Sequence, residues 1–269
     1  MQKLRLDKLL TDKGLVPTRE KAQFLIMTGQ ILVNDLKITK SGQAVREDSI
    51  IRILTDLPKY VSRGGLKLEG AWAAFQFNIK GRHALDVGIS TGGFTDFLLH
   101  NDVASVIGLD VGYGQVNLKV QRDPRVAIFE RVNVRTLTPD QMNSLMMGAN
   151  APPNWISNAD LVVMDVSFIS VTKVLPAVKQ LVPRGDYFIL IKPQFEAERS
   201  EVGKGGIIRD PELIATIVDR VKATLSDQFE IKGHCASPIT GAKGNQEQFL
   251  WLTPLASPVI PAEAGIPDA

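Results

Sequence analysis

Two apolar runs in this 269-residue chain each end in a charged side chain. Leu161-Val162-Val163-Met164 leads into Asp165, and Tyr187-Phe188-Ile189-Leu190-Ile191 leads into Lys192, directly before Pro193. Read as successive buried strands, they bring a carboxylate and an amine to one edge of one sheet. Desolvation beside a pocket wall favours a neutral amine, whereas a neighbouring carboxylate favours the ammonium. A neutral amine there can accept the proton of a weakly acidic sugar hydroxyl. Lys67, ahead of the first strand of the alternating pattern, and Glu247, just ahead of the last, can fold over the same edge. Each of the four alone reads as an ordinary surface charge. What singles them out is that two of them end consecutive apolar strands beside a glycine-rich loop.

That loop is Asp86-Val87-Gly88-Ile89-Ser90-Thr91-Gly92-Gly93-Phe94, after a strand and at the opening of a helix. Glycine there lets the backbone turn sharply and approach a ligand closely. In a doubly wound sheet, ligands sit beyond the carboxyl ends of the strands. Leu109-Asp110 ends the second strand about 20 residues later, where a carboxylate can hold ribose hydroxyls. The spacing is Gly-x-x-x-Gly-Gly with a leading Asp86, not the Gly-x-Gly-x-x-Gly of dinucleotide sites, whose pyrophosphate needs a tight loop on a helix N-terminus. A sulfonium ligand has no phosphate and suits the wider loop. S-adenosylmethionine is favoured over a nicotinamide dinucleotide, and a glycine turn without a ligand stays open.

The elements that must carry these residues fall into two groups. Residues 4–13 and 18–28 read as short helices, the second capped by Thr18 and closed by Gly29. Ile31-Leu32-Val33 and Ile38-Thr39 flank an Asn34-Asp35 turn, and residues 50–54 form another strand, with Pro58 at the module's edge. From Gly81 the pattern alternates. Strands are expected at 83–87, 104–109, 126–129, 161–165, 187–191 and 249–252, with helices at 91–99, 114–120, 171–181 and 214–225. Such alternation predicts an α/β, Rossmann-like domain with a mostly parallel sheet. The tail from Pro254 to Ala269 holds four prolines and is expected to be disordered.

Charge separates the same two groups. Residues 1–60 carry 11 Lys and Arg against 7 Asp and Glu, whereas the remainder carries 20 against 22. A basic module joined to a near-neutral domain suggests docking on a polyanion, with a solvated helix surface as the plainer reading. One cysteine, Cys235, excludes an internal disulfide and a thiolate-rich metal site, and three scattered histidines argue against a His-built one. No run approaches the ~20 apolar residues of a membrane span, and the start lacks a signal-peptide core, so a cytoplasmic protein is expected.

Residues 1–60 resemble an S4-type RNA-binding domain, a small α+β module, through Arg5-Leu6-Asp7-Lys8-Leu9-Leu10, Thr18-Arg19-Glu20-Lys21-Ala22 and Gly29-x-Ile31-x-Val33-Asn34. Residues 61–253 resemble an FtsJ-type methyltransferase domain. The combination is similar to the TlyA family of ribosomal RNA 2′-O-methyltransferases, some of which carry hemolysin names. The stretches that carry the likeness include residues 60–68, 86–96, 109–115, 130–135, 165–170, 191–196, 203–206 and 244–247. The resemblance implies a catalytic tetrad of Lys67, Asp165, Lys192 and Glu247. It implies a pocket for S-adenosylmethionine that uses Asp86, Gly88, Ser90, Gly92, Gly93, Asp110 and Asn133. Ile89 stands where a smaller residue is usual, and Lys59-Tyr60-Val61 replaces an Arg-x-Trp-Val linker.

On this reading Lys192 removes the ribose hydroxyl proton or stabilises the oxyanion, Asp165 fixes Lys192 and the sulfonium end, and Lys67 and Glu247 position the ribose and hydrogen-bond Lys192. Arg5, Lys8, Arg19 and Lys21 are expected to contact RNA phosphates. Arg63, Lys204 and Arg209 are further candidates near the target nucleotide. The expected partner is ribosomal RNA or a ribosomal subunit, with no membrane and no metal. The alternatives are a ribosome-associated RNA-binding protein with an idle methyltransferase fold, a hemolysin, and, more distantly, a nicotinamide-dependent oxidoreductase.

Overall fold

Leu6, Leu9 and Leu10 recur at helical spacing and are fully buried, which fixes the inner face of the first helix. The computed structural model describes residues 3–54, 59–148, 158–241 and 243–256. The chain divides between residues 58 and 59 into two units. The first opens with β1 (Lys3–Arg5), then α1 (Leu6–Asp12) and α2 (Arg19–Met27), the latter capped by Thr18, whose side chain accepts from the Lys21 N–H. The predicted first helix therefore begins two residues late. Leu4 and Arg5 are extended because β1 pairs antiparallel with β4 (Ala44–Arg46), a strand without a clear sequence signal.

β2 (Ile31–Val33) lies between β3 (Leu36–Ile38) and β5 (Ile51–Ile53). Asn34 and Asp35, both at positive φ, make the two-residue turn from β2 to β3. Ala22, Leu25, Ile26, Ile31 and Val33 join the α1 leucines in one core.

The second unit starts with α3 (Gly64–Phe75), which the alternating pattern did not reveal. β6 (His83–Val87), β7 (Ser105–Leu109), β8 (Val126–Phe129), β9 (Ala159–Met164) and β10 (Asp186–Ile191) run parallel, and β11 (Phe229–Ala236) and β12 (Gln248–Pro254) close one side antiparallel. The order is β11-β12-β10-β9-β6-β7-β8. It reverses at β6, between β7 and β9, and a doubly wound sheet opens its ligand crevice at such a point. β9 and β10 are apolar because helices and loops cover both sheet faces; four of the six residues of β10 are Phe, Ile or Leu.

Four differences from the sequence pattern have physical causes. The helix expected at 114–120 shrinks to α5 (Leu118–Gln121), because Asn117 caps it only there. α6 (Pro139–Met147), closed at its start by a Thr138–Gln141 capping box, was not foreseen. The helix expected at 171–181 splits into a 3-10 turn (Val171–Lys173) and α7 (Leu175–Leu181), since Pro176 cannot continue the preceding turn. β11 alternates buried and wet residues and reads as neither a core strand nor a helix. Pro254, counted with the tail above, pairs with Phe229 at the end of β12. The rest of the expected tail, from 257 on, and Pro58 lie outside the described residues.

Candidate active site

Gly88 follows β6 at a φ of +85°, where a side chain is strained whatever the space. An added Cβ would lie 2.6 Å from the Asp165 carbonyl oxygen, so only glycine lets this loop pass against the end of β9. The Asp165 N–H donates to the Val87 carbonyl at 3.0 Å and ties the two strand ends together. The loop then turns through Ser90 and Gly92, both at positive φ, into α4 (Gly93–His100). Glycines also let α3 and α4 meet: a Cβ on Gly93 would lie 2.9 Å from the Gly65 nitrogen.

Asp110, just past β7, holds the loop from the other side. Its Oδ2 accepts from the Ser90 N–H and its Oδ1 from the Gly112 N–H, each at 2.7 Å. Ile89 points down and is buried over Gly108, where the missing Cβ makes room for it.

Two cavities flank the loop. One, of about 460 Å³, is lined by Asp110, Val111, Gln115, Asn133, Ser167 and Phe168 among others. The other, of about 400 Å³, is lined by Ser62, Arg63, Gly64, Lys67, Thr91 and Gly93 among others. They share Gly88, Ser90 and Asp165. An elongated ligand can lie across this shared rim with its middle beside the Asp165 carboxylate.

Of the four charged residues, Asp165 lines both cavities and Lys67 the smaller one, whereas Lys192 and Glu247 line neither and join the group through ion pairs. Lys192 Nζ is 2.5 Å from Asp165 Oδ1, Lys67 Nζ is 3.6 Å from Asp165 Oδ2, and Lys67 Nζ is 2.7 Å from Glu247 Oε2. They form one line, Glu247–Lys67–Asp165–Lys192, with alternating charge, so that Lys67 and Glu247 do not bond to Lys192 as expected, because Asp165 stands between. Lys192 and Glu247 are buried. Asp165 Oδ1 and Glu247 Oε2 contact their lysines at ion-pair distance without hydrogen-bond alignment, so neither contact is geometrically saturated. Lys192 Nζ has a second partner that the sequence reading missed, donating to Ser167 Oγ at 2.7 Å. Its only sequence signal is a hydroxyl two residues beyond Asp165.

The other expected residues separate. Gly88, Ser90, Gly93, Asp110 and Asn133 line the cavities, but Asp86 and Gly92 are not among the lining residues. Asp86 lies beneath the loop, buried, with Oδ2 accepting from Thr95 Oγ1 at 2.6 Å and Oδ1 without a hydrogen-bond partner among the described residues. Burial pushes its carboxyl up to about 7, against the opposing effect of the Thr95 hydrogen bond. Gly92, at a φ of +89°, sits over Val120, whose Cγ2 would be 3.0 Å from an added Cβ. Arg63 lines the smaller cavity and donates to the Thr240 carbonyl at 3.0 Å. Lys204 and Arg209 are exposed in the segment between α8 (Pro193–Glu196) and α9 (Pro211–Leu225). In the N-terminal unit Lys8 is exposed, Lys21 lies over the Phe24 ring, and Arg5 and Arg19 both bind Asp7.

The sequence profile of the FtsJ-like methyltransferase family matches residues 60–253, and that of the S4 domain matches residues 4–51. The chain is 39% identical to the 16S/23S rRNA (cytidine-2′-O)-methyltransferase TlyA of Mycobacterium tuberculosis, covering all of this chain and 96% of that protein. This chain belongs to the TlyA family of FtsJ-like methyltransferases. Another relative, Hemolysin A of Brachyspira hyodysenteriae, is 37% identical over 91% of this chain and 97% of its own. A solved structure with a hemolysin name, from Streptococcus thermophilus, superposes with a TM-score of 0.67 at 35% identity, covering 96% of this chain and 90% of that one. The α/β domain is thus an FtsJ-like methyltransferase domain. Among the described residues of this TlyA-family chain, no helix is long and apolar enough to cross a membrane, and no group of three His, Cys, Asp or Glu residues can hold a metal.

Proposed function

We propose that this protein transfers the methyl group of S-adenosylmethionine to a ribose 2′-hydroxyl of ribosomal RNA, free or in a ribosomal subunit, in the cytoplasm. The observation that carries the reading is the line Glu247–Lys67–Asp165–Lys192, whose Asp165 belongs to the wall common to two cavities. The residues present suit the donor. Each Asp110 oxygen takes a single N–H and keeps a lone pair for a ribose hydroxyl. Val111 offers an apolar surface for a base, and Asp165 faces both cavities with a charge that complements a sulfonium.

When bound, the donor supplies a methyl group already activated by a positive sulfur, so orientation provides most of the rate. Asp165 touches the cavities on one side and Lys192 on the other. Asp165 holds the Lys192 amine beside the cavities, where Lys192 Nζ would take the hydroxyl proton as the methyl group passes to the oxygen. Ser167 and Asp165 together fix the direction of the Lys192 amine. Lys67, held between Asp165 and Glu247, positions the ribose. Arg5, Lys8, Arg19 and Lys21 supply phosphate contacts, and Arg63, Lys204 and Arg209 are the candidates for contacts near the target nucleotide.

The test is incubation of ribosomal RNA with the protein and methyl-labelled donor, followed by alkaline digestion. A methylated 2′-oxygen cannot attack the adjacent phosphodiester, so the label is expected in alkali-resistant dinucleotides. Label recovered in mononucleotides, or no transfer to RNA, contradicts the reading.

A further inference from the structure

Asp7 sits in the first turn of α1 with its side chain fully buried, yet it belongs to no catalytic group. Five donors converge on it. Oδ1 accepts from Arg5 Nε at 3.1 Å and from the Lys8 N–H at 2.9 Å. Oδ2 accepts from Arg5 Nη2 at 2.9 Å, from Arg19 Nε at 3.1 Å and from Gln23 Nε2 at 3.0 Å. The Arg5 fork, followed by Gln23 and Arg19, holds the Asp7 carboxyl well below the usual carboxylate range, so it is charged in the folded protein.

The two arginines are not buried with it. Their side chains are 52% and 51% exposed. Arg5 reaches Asp7 from β1, and Arg19 reaches it from the first position of α2. The Arg5 guanidinium lies flat on Gly42, where an added Cβ would be 3.3 Å from its Cζ and from both Nη atoms. Among the described residues, Arg5 Nη1 and both Nη atoms of Arg19 have no hydrogen-bond partner. Two like charges are thus held side by side on one carboxylate oxygen, although they repel each other. The group carries a formal +1, which matches the −1 of one phosphodiester, and its open N–H groups are preset in fork geometry.

We propose that Asp7 is a positioning residue for RNA, holding Arg5 and Arg19 so that their free Nη atoms grip one backbone phosphodiester. The proposal rests on the reading that the S4 unit binds ribosomal RNA. Charge and geometry make opposite demands here. Asp7→Asn adds one unit of positive charge, so a simple basic patch would bind RNA more tightly. A positioned clamp would bind it more weakly, because a neutral amide cannot hold two guanidinium groups together.

The experiment titrates transcribed ribosomal RNA with the full chain, its D7N variant and an R5K/R19K variant, across a salt series. Thermal unfolding is followed in parallel. D7N is expected to bind about ten-fold more weakly, with the loss in KM for RNA rather than in kcat. Its plot of log affinity against log salt should flatten by roughly 0.7–0.9, the value of one phosphate contact. R5K/R19K keeps both the charge and Asp7, so it remains informative if D7N fails to fold, and it is expected to lose about ten-fold as well. Wild-type or tighter binding by a folded D7N overturns the clamp, as does wild-type affinity in R5K/R19K. Failure of the unmodified chain to bind ribosomal RNA would instead overturn the RNA-binding reading.

Discussion

Lys192 Nζ lies 2.5 Å from Asp165 Oδ1, and the two residues extend neighbouring parallel strands, β10 and β9. The strands are rigid and buried, so the amine and carboxylate are held by the sheet rather than by a loop. Asp165 is also part of the wall common to both cavities. One carboxylate therefore touches Lys192, Lys67 and both cavities. Orientation of this kind is the main contribution a protein can make to a methyl group that is already activated.

Asp165→Asn is expected to impair two steps that are measured separately. Donor affinity, read by calorimetry, should fall about ten-fold or more as a charged contact is lost. Single-turnover transfer at saturating donor should also fall, because Lys192 and Lys67 lose their common partner. Glu247→Gln touches only Lys67 among these lysines and should spare donor affinity more than Asp165→Asn does. Equal effects of the two substitutions on donor binding would contradict the placement of Asp165 at the cavity rim.

Gly88→Ala places a Cβ against the Asp165 carbonyl at a φ where alanine is strained. A stability loss of ~2 kcal/mol or more is expected, read from denaturant unfolding, together with weakened donor binding. An unchanged midpoint and unchanged donor affinity would show that the loop does not pack as described.

Asp86 gives a pH signature. Burial raises its carboxyl from 3.8 to about 7, so between those values the folded protein binds a proton that the unfolded chain releases. Stability therefore falls as pH rises through this window, the reverse of a salt-bridged carboxylate. Asp86→Asn stays neutral at every pH and can still accept from Thr95. It should flatten this part of the curve and be the more stable form above pH 7, as followed by thermal unfolding from pH 4 to 8. Parallel curves for the two proteins would show that Asp86 ionises freely.

Much of this site was legible because its residues end strands. Apolar runs that stop at Asp165 and Lys192 announce both the sheet edge and what stands on it, and Gly88 marks a close approach. Lys67 and Glu247 gave no such local signal, since the meeting of Lys67 with both Glu247 and Asp165 depends on how α3 and β12 fold. Asp86 shows the limit of motif reading, because its place in the loop sequence suggests the cavity whereas its side chain turns inward to Thr95. Ser167 and Asp7 act through partners 25 and 12 residues away, Lys192 and Arg19, and only the fold reveals those pairings. In the N-terminal unit, strands of three residues such as β1 and β4 are too short for periodicity to register.

The most direct measurement is single-turnover methyl transfer to ribosomal RNA by Lys192→Ala, with donor and RNA occupancy measured on the same protein. Donor and RNA should both bind within a few-fold of the unmodified chain, while 2′-O-methylation slows by about 10²–10⁴-fold, the usual contribution of a general base. Transfer at the unmodified rate with both ligands bound would remove Lys192, and with it the line of four charges, from the chemistry.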